Sequence, residues 1–342
     1  MDAGIFAVTH IAVLSAGLAA AALALMKGGP KQPTPVESIN EPFKTVDLSD
    51  LPALERVTAR DNTQLAYRTY LAHSPLRQGS AVLIHGSSAS SKSLHSMARQ
   101  FAEAGYTTYV PDIRGHGESG RRGTISYIGQ LEDDIEDFLN MVKPEAPRIL
   151  VGFSAGGGFA LRFAADRRRR AFDCYLLLSP FLHHKARTSR PAAGGWANVG
   201  RPRTIVLVLL NKIGIRAFNH LHTIAYALTP EAQAMLTPQY SFNLMQNFRP
   251  SEDYRADIRA AAQPLKVLVG ADDEAFHASE FAAAFAEAGR AIPVTIVPNT
   301  NHIGLTLQRQ AIGAVLSAID SALYSIGDAK PVAGADPATK PA

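Results

Sequence analysis

The most constraining feature of this sequence is an apolar stretch, Ile149 to Phe153, that runs straight into Gly152-Phe153-Ser154-Ala155-Gly156 and then into a small-residue helical pattern, Gly156 to Ala165. The G-x-S-x-G pentapeptide alone is weak, because small residues recur by chance. Between an apolar strand and a helix start it demands a tight strand-to-helix turn that exposes a serine oxygen. Glycines two before and two after the serine leave room for the crowded backbone. The alternative is an ordinary glycine-rich helix entry.

Around this turn the chain alternates strand and helix patterns. Apolar strand candidates lie at Ala81 to Ile84, Thr107 to Val110, Ala171 to Leu178, Leu265 to Val269 and Val294 to Val297. Helical spacing marks Lys92 to Ala104, Tyr127 to Val142, Ser279 to Ala288 and Ile312 to Tyr324. Arg56 to Thr58 and Leu65 to Tyr70, with the turn signal Asp61-Asn62 between them, predict an antiparallel hairpin. This alternation predicts an α/β fold with a mostly parallel sheet covered on both faces. It breaks near Pro180, and residues 181–260 read as a cap inserted between two strands. Two short helical patterns are expected there, at Ile215 to Leu228 and Pro230 to Leu236. The cap's apolar run Ile205 to Leu210, with Ile213 and Ile215, is either an acyl-accepting pocket or the cap's own small core.

The N-terminus sets a second constraint. Ile5 to Met26 is apolar apart from Thr9, His10, Ser15 and Gly17. At helical rise it spans roughly 33 Å, enough for a bilayer core. No basic segment precedes it and no clear cleavage site follows. It therefore reads as a single-span membrane anchor over residues 1–27, with a cleaved export signal as the alternative. Lys27 and Lys31 leave the membrane face open. Residues 28–50 read as a linker, 51–326 as the main domain and 327–342 as a disordered tail.

Composition excludes little more. Of 342 residues, 46% are hydrophobic and 19% charged, a globular balance. The net charge of +4 comes partly from Arg121-Arg122 and Arg167 to Arg170, which suit a solvated helix end or contact with anionic lipid. No basic face is interleaved with aromatics, so nucleic-acid binding is not expected. The single cysteine, Cys174, forbids an intrachain disulfide and reads as a core residue.

A serine hydroxyl needs a base. His302, in Asn301-His302-Ile303-Gly304 after the last strand, lies at the same sheet edge as Ser154. The base needs an acid to orient it. Asp272, Asp273 and Glu274 compete for that place, and Asp273 is preferred. The order Ser154, Asp273, His302 then suits a strand–serine–helix elbow. Oxyanion donors are expected from the amides of Ala155 and of Ser87, in the loop His85-Gly86-Ser87-Ser88. His116, in the glycine-rich loop Asp112 to Ser119, reads as structural. His183-His184 lacks metal-ligand spacing, and His220 and His222 read as surface or pocket-lining residues.

Together, His85 to Ser87, Asp112 to Ser119, Gly152 to Gly156, Gly270 to Phe276 and Asn301 to Gly304 resemble the α/β-hydrolase superfamily. Within it they look like the serine aminopeptidase-like, lysophospholipase and monoacylglycerol-lipase group. The resemblance spans residues from about 55 to 325. It implies an eight-stranded sheet under a helical cap between strands six and seven, a Ser154–Asp273–His302 triad, and no metal or organic cofactor. The group's commonest elbow carries His or Tyr before the serine, where this chain has Phe153. The expected activity is hydrolysis of lipid-like esters, monoacylglycerol or lysophospholipid, through an acyl-enzyme. An amidase or aminopeptidase is the alternative, with Glu231, Glu252 and Asp253 as candidates to hold a substrate ammonium. A non-catalytic scaffold of the same fold is the other.

Overall fold

The computed structural model describes residues 3–73 and 78–328. The strands are β1 (Glu55–Thr58), β2 (Gln64–Tyr70), β3 (Gly79–Ile84), β4 (Tyr106–Pro111), β5 (Arg148–Phe153), β6 (Cys174–Leu178), β7 (Ala197–Val199), β8 (His222–Tyr226), β9 (Gln239–Ser241), β10 (Leu265–Gly270) and β11 (Val294–Val297). The helices are α1 (Ala3–Lys27), α2 (Glu37–Asn40), α3 (His95–Glu103), α4 (Gln130–Val142), α5 (Ala155–Ala165), α6 (Arg201–Lys212), α7 (Pro230–Met235), α8 (Phe242–Asn247), α9 (Tyr254–Ala260), α10 (Phe281–Glu287), α11 (Gly304–Leu307) and α12 (Arg309–Asp328).

Eight strands form one sheet in the order β1-β2-β4-β3-β5-β6-β10-β11. The hairpin β1–β2 and the β2–β4 pair are antiparallel, and the other pairs are parallel. The alternating side chains of β3 show why both faces must be covered. Val82 and Ile84 enter one apolar cluster, with α4, α5, α9 and α10. Ala81 and Leu83 enter the other, with α3 and α12. A strand buried on both sides reads as continuous apolar sequence, as β3, β5 and β6 do. At the hairpin turn Asn62 takes φ +65°, a left-handed conformation that Asn tolerates. Cys174 is fully buried, and burial pushes its thiol up to about 12, which makes it unreactive.

Between β6 and β10 the chain leaves this sheet and builds a second one, β7-β8-β9, antiparallel throughout. Here the structure corrects three expectations. First, Ile215 to Leu228 is not helical: its second half is strand β8. Its backbone groups are paired with β7 on one edge and β9 on the other. Second, the apolar run in α6 forms neither a pocket nor a cap core. Leu207 is fully buried, but Ile205, Leu209 and Ile213 are 60%, 55% and 72% exposed. One helical face carries Leu207 inward, and most of the run's other large side chains point out. Third, residues 28–50 do not run free as a linker. Lys31 N donates to Asn198 Oδ1 at 2.9 Å, Gln32 Nε2 donates to Tyr226 O at 2.6 Å, and Ile39 is buried in the core.

The N-terminal helix forms, but the single-span anchor expected of it gains no support. Among the described residues no helix is long and apolar enough to cross a membrane. The end of α1 instead packs against α6. Arg203 Nε donates to Leu25 O at 2.8 Å and Nη2 to Met26 O at 3.0 Å, capping carbonyls that a helix end leaves unpaired. Val13, Leu14, Leu18, Leu23 and Met26 are exposed. Of the tail expected to be disordered, residues 329–342 lie outside the described residues, and α12 continues to Asp328.

Candidate active site

Ser154 sits where β5 ends and α5 begins, with φ +55° and ψ −115°. Such a backbone is strained for a residue with a Cβ, and its surroundings hold it there. Ser154 N donates to Leu178 O at 2.9 Å, while Gly158 N and Phe181 N both donate to Ser154 O at 3.0 Å. The flanking glycines are obligatory for space. A Cβ on Gly152 would lie 2.2 Å from Gly156 O, and one on Gly156 would lie 2.4 Å from His85 O. The α5 N-terminus, with its unpaired amides and positive dipole end, therefore stands directly behind the serine.

The loops after β10 and β11 bring in the acid and the histidine. Ala271 N donates to Val297 O at 2.9 Å and Asp272 N to Thr300 O at 3.0 Å, which ties the two loops together. The structure brings Ser154, His302 and Asp273 into one line. His302 Nε2 is 3.1 Å from Ser154 Oγ, and His302 Nδ1 is 2.8 Å from Asp273 Oδ2. Asp273 Oδ1 accepts from Ala275 N and Phe276 N, both at 2.9 Å. Burial works to raise the Asp273 carboxyl, but the charge and hydrogen bond of His302, with the Phe276 amide, outweigh it. They hold the group below the usual carboxylate range. Asp273 is thus an ionised acceptor. Nδ1 must carry the imidazole proton, and the Nε2 lone pair faces the serine hydroxyl.

The rival acids stand elsewhere. Asp272 is exposed. Glu274 Oε2 accepts from His302 N at 2.9 Å, so it braces the histidine's backbone. Phe153, the elbow's departure from the commonest pattern, lies against the His302 ring with centroids 4.7 Å apart, and Phe276 meets the same ring edge-on at 5.4 Å. These rings hold the imidazole's orientation by contact alone. Sequence reasoning missed the role of Phe153, since nothing local shows which ring it will meet.

The loop after β3 places Ser87 and Ser88 beside the elbow: a Cβ on Gly86 would lie 3.4 Å from Ser154 Cβ. His85 and His116 are fully buried below it with ring centroids 4.8 Å apart. Burial lowers both below the ordinary histidine value, and the proximity of His85 lowers His116 further. Asp112 accepts from Ser91 N at 2.7 Å and Glu118 N at 2.9 Å, which gives its glycine-rich loop a structural role.

The candidate ammonium ligands are occupied or exposed. Glu252 pairs with Arg249 at 2.7 Å and His183 at 3.4 Å. Asp253 caps α9 by accepting from Ala256 N, and Glu231 lies in the exposed first turn of α7. His220 is exposed and His222 half-buried. Among the described residues no His, Cys, Asp or Glu cluster could hold a metal ion.

The family model described as serine aminopeptidase, S33 matches residues 77–303. A monoacylglycerol lipase of Mycolicibacterium smegmatis is 36% identical over 94 residues, which cover 26% of this chain and 33% of that relative. The chain thus matches about a third of that relative's length. Among solved structures, a soluble variant of monoglyceride lipase from Saccharomyces cerevisiae, in complex with a substrate analogue, superposes with a TM-score of 0.58. It is 19% identical and covers 80% of this chain and 94% of its own. A bacterial membrane phospholipase A superposes at 0.55 with 17% identity, covering 94% and 99%. At these identities the two structures speak for the α/β-hydrolase fold alone.

Proposed function

The chain belongs to the serine aminopeptidase S33 family of α/β-hydrolases, and from that premise we propose that it is a serine-nucleophile hydrolase of carboxylic esters, acting on lipid-like esters such as monoacylglycerol or lysophospholipid. The observation that carries the reading is the continuous hydrogen-bonded line from Ser154 through His302 to Asp273.

The reaction follows from that line. His302 Nε2 takes the Ser154 proton as Oγ attacks the ester carbonyl, and Asp273 stabilises the imidazolium. Negative charge collects on the carbonyl oxygen, where the Ala155 and Ser87 amides receive it. A donor of this kind is worth about 2.7–4 kcal/mol in the transition state. The imidazolium gives its proton to the departing alcohol, leaving an acyl group on Ser154. A water deprotonated by His302 then attacks the acyl carbon, releases the acid and restores the serine.

Lipid preference draws on a different part of the molecule. α1 packs against α6, both carry exposed apolar side chains, and the exposed cations Lys27, Lys31, Arg201, Lys212 and Arg216 stand at or just beyond their ends. Apolar surface bordered by cations suits an anionic lipid interface. The lipase name of the Mycolicibacterium relative points the same way.

The test pairs p-nitrophenyl esters and a panel of monoacylglycerols and lysophospholipids with aminoacyl amides. Hydrolysis of the esters and glycerides by the wild-type chain but not by Ser154→Ala is expected. Preferential cleavage of the amides would turn the reading toward an aminopeptidase. No turnover, with no labelling by a fluorophosphonate, would leave a non-catalytic scaffold.

A further inference from the structure

The cap reaches the catalytic sheet through three aromatic side chains, and all of them lead to the loop after β3. Trp196 Nε1 donates to Ser87 Oγ at 2.8 Å. Ser88 N donates to the Tyr240 hydroxyl at 2.5 Å, Ser88 Oγ donates to Thr237 O at 2.7 Å, and Thr237 N donates to Ser88 O at 2.9 Å. Ser88 needs this grip, because its φ of +69° is unfavourable for a residue with a Cβ.

The protons in this cluster can be assigned by elimination. His116 Nδ1 lies 3.1 Å from Ile113 O, and a carbonyl only accepts, so Nδ1 carries the proton. Nε2 is then the acceptor for the Tyr240 hydroxyl 2.5 Å away. With its proton so committed, the Tyr240 oxygen accepts from Ser88 N. The Tyr226 ring packs between those of Trp196 and Tyr240, with centroids 5.5 and 4.7 Å away. The Ser88 amide is therefore tied through Tyr240 and His116 to a backbone carbonyl, while the Trp196 indole holds the Ser87 hydroxyl. The same logic closes the other side. Ile113 N donates to His85 Nε2 at 3.1 Å, so His85 Nδ1 carries a proton and gives it to Gly86 O at 2.8 Å.

Gly86 C=O and Ser87 N–H belong to one planar trans peptide, so the two bonds point in opposite directions. Holding the Gly86 oxygen down toward His85 aims the Ser87 amide the other way. Tyr240 meanwhile consumes the neighbouring Ser88 amide, which leaves Ser87 as the donor the loop can offer. We propose that Tyr240, Tyr226 and Trp196 of the cap, acting with His116 and His85, are positioning residues that lock the Gly86–Ser87 peptide as the second oxyanion donor, so that seating of the cap is a condition of catalysis. The inference rests on the serine-hydrolase reading above. It extends that reading from the sheet to a region that contributes no reacting atom.

The experiment compares wild type with Tyr240→Phe, which removes one hydroxyl and keeps the ring. Three readouts are followed: the rate of phosphonylation by a fluorophosphonate, kcat and KM for a soluble p-nitrophenyl ester, and the melting temperature. Phosphonylation and kcat should fall together by about tenfold to a hundredfold, less than the hundredfold to thousandfold lost when a donor is removed outright, with KM unchanged. Ser87→Ala combined with Tyr240→Phe should lose less than the sum of the two single losses, because both loosen the same Gly86–Ser87 peptide. Should Tyr240→Phe fail to fold, Trp196→Phe at the half-buried outer end should show the same kcat-only loss in smaller measure. A folded Tyr240→Phe with wild-type phosphonylation, or a loss confined to KM, or additive losses in the double variant, would overturn the proposal. Wild type that resists labelling altogether would instead sink the serine-nucleophile reading and this one with it.

Discussion

The rim of the large sheet and the outer face of the cap are built on opposite plans. At the rim, Ser154, His302 and Asp273 are fixed by backbone bonds, flanking rings and glycines with no room for a Cβ. On the cap, α6 leaves half of its large aliphatic side chains in solvent, and α1, packed against it, exposes several more. Catalysis needs groups held within fractions of an ångström of their working positions, and over-determined backbone supplies that. Recognition of an apolar aggregate needs uncovered surface, and rigidity there would add little. The difference teaches that the two halves of the proposed activity should fail in different ways.

The harshest way to break the contrast is at the rim itself. Ser154→Ala should lower kcat by about 10⁴-fold or more while leaving the melting temperature near wild type, measured by ester hydrolysis and calorimetry. Asp273→Asn should cost about as much in kcat, since it presents the wrong partner to His302 Nδ1.

Next comes space. Gly156→Val would press a branched side chain onto the His85 and Ile84 carbonyls, which are backbone and cannot yield. A loss of about 3 kcal/mol in urea unfolding is expected, or no folded protein at all.

The buried histidines give a pH signature. His85 and His116 have folded values depressed below their unfolded ones, chiefly by burial. Their stabilising contribution is therefore fully present above the unfolded value, near pH 6.5. It is lost as pH falls from there through the folded values. Each can contribute a slope of at most about 1.4 kcal/mol per pH unit, so urea midpoints should drop between pH 7 and 5. His116→Gln should flatten that dependence.

The smallest effect sharpens the comparison from the other side. Leu209→Ser on α6 should change stability by less than about 0.5 kcal/mol, because the side chain is already in water. It should leave soluble ester hydrolysis unchanged yet slow the turnover of monoacylglycerol presented in anionic vesicles. Equal slowing on both substrates would break the division between rim and cap.

What could be read from the residues alone was whatever is encoded locally. The elbow, the apolar strands on both sides of it and the helices were legible because strands buried on both faces read as continuous apolar runs and helices carry a period of 3.6 residues. Strand β11, Val294–Val297, was anticipated to the residue, and Ser154 and His302 were singled out from their places after strands. The preference for Asp273 among three adjacent acids had no local warrant. It is the loop geometry that sends Asp273 to His302 and Glu274 to the histidine's backbone. The cap resisted reading for the same reason. Strand β8 exists because two partners flank it, the outward turn of α6 depends on what leaves its face uncovered, and Tyr240 matters because Ser88, 152 residues earlier, ends beside it. Sequence by itself determined most of the elements and suggested the chemistry proposed, since backbone and side-chain preferences act over a few residues. Only tertiary structure decided which acid, which aromatic ring and which exposed face take part, because those choices depend on contacts between residues far apart in the chain.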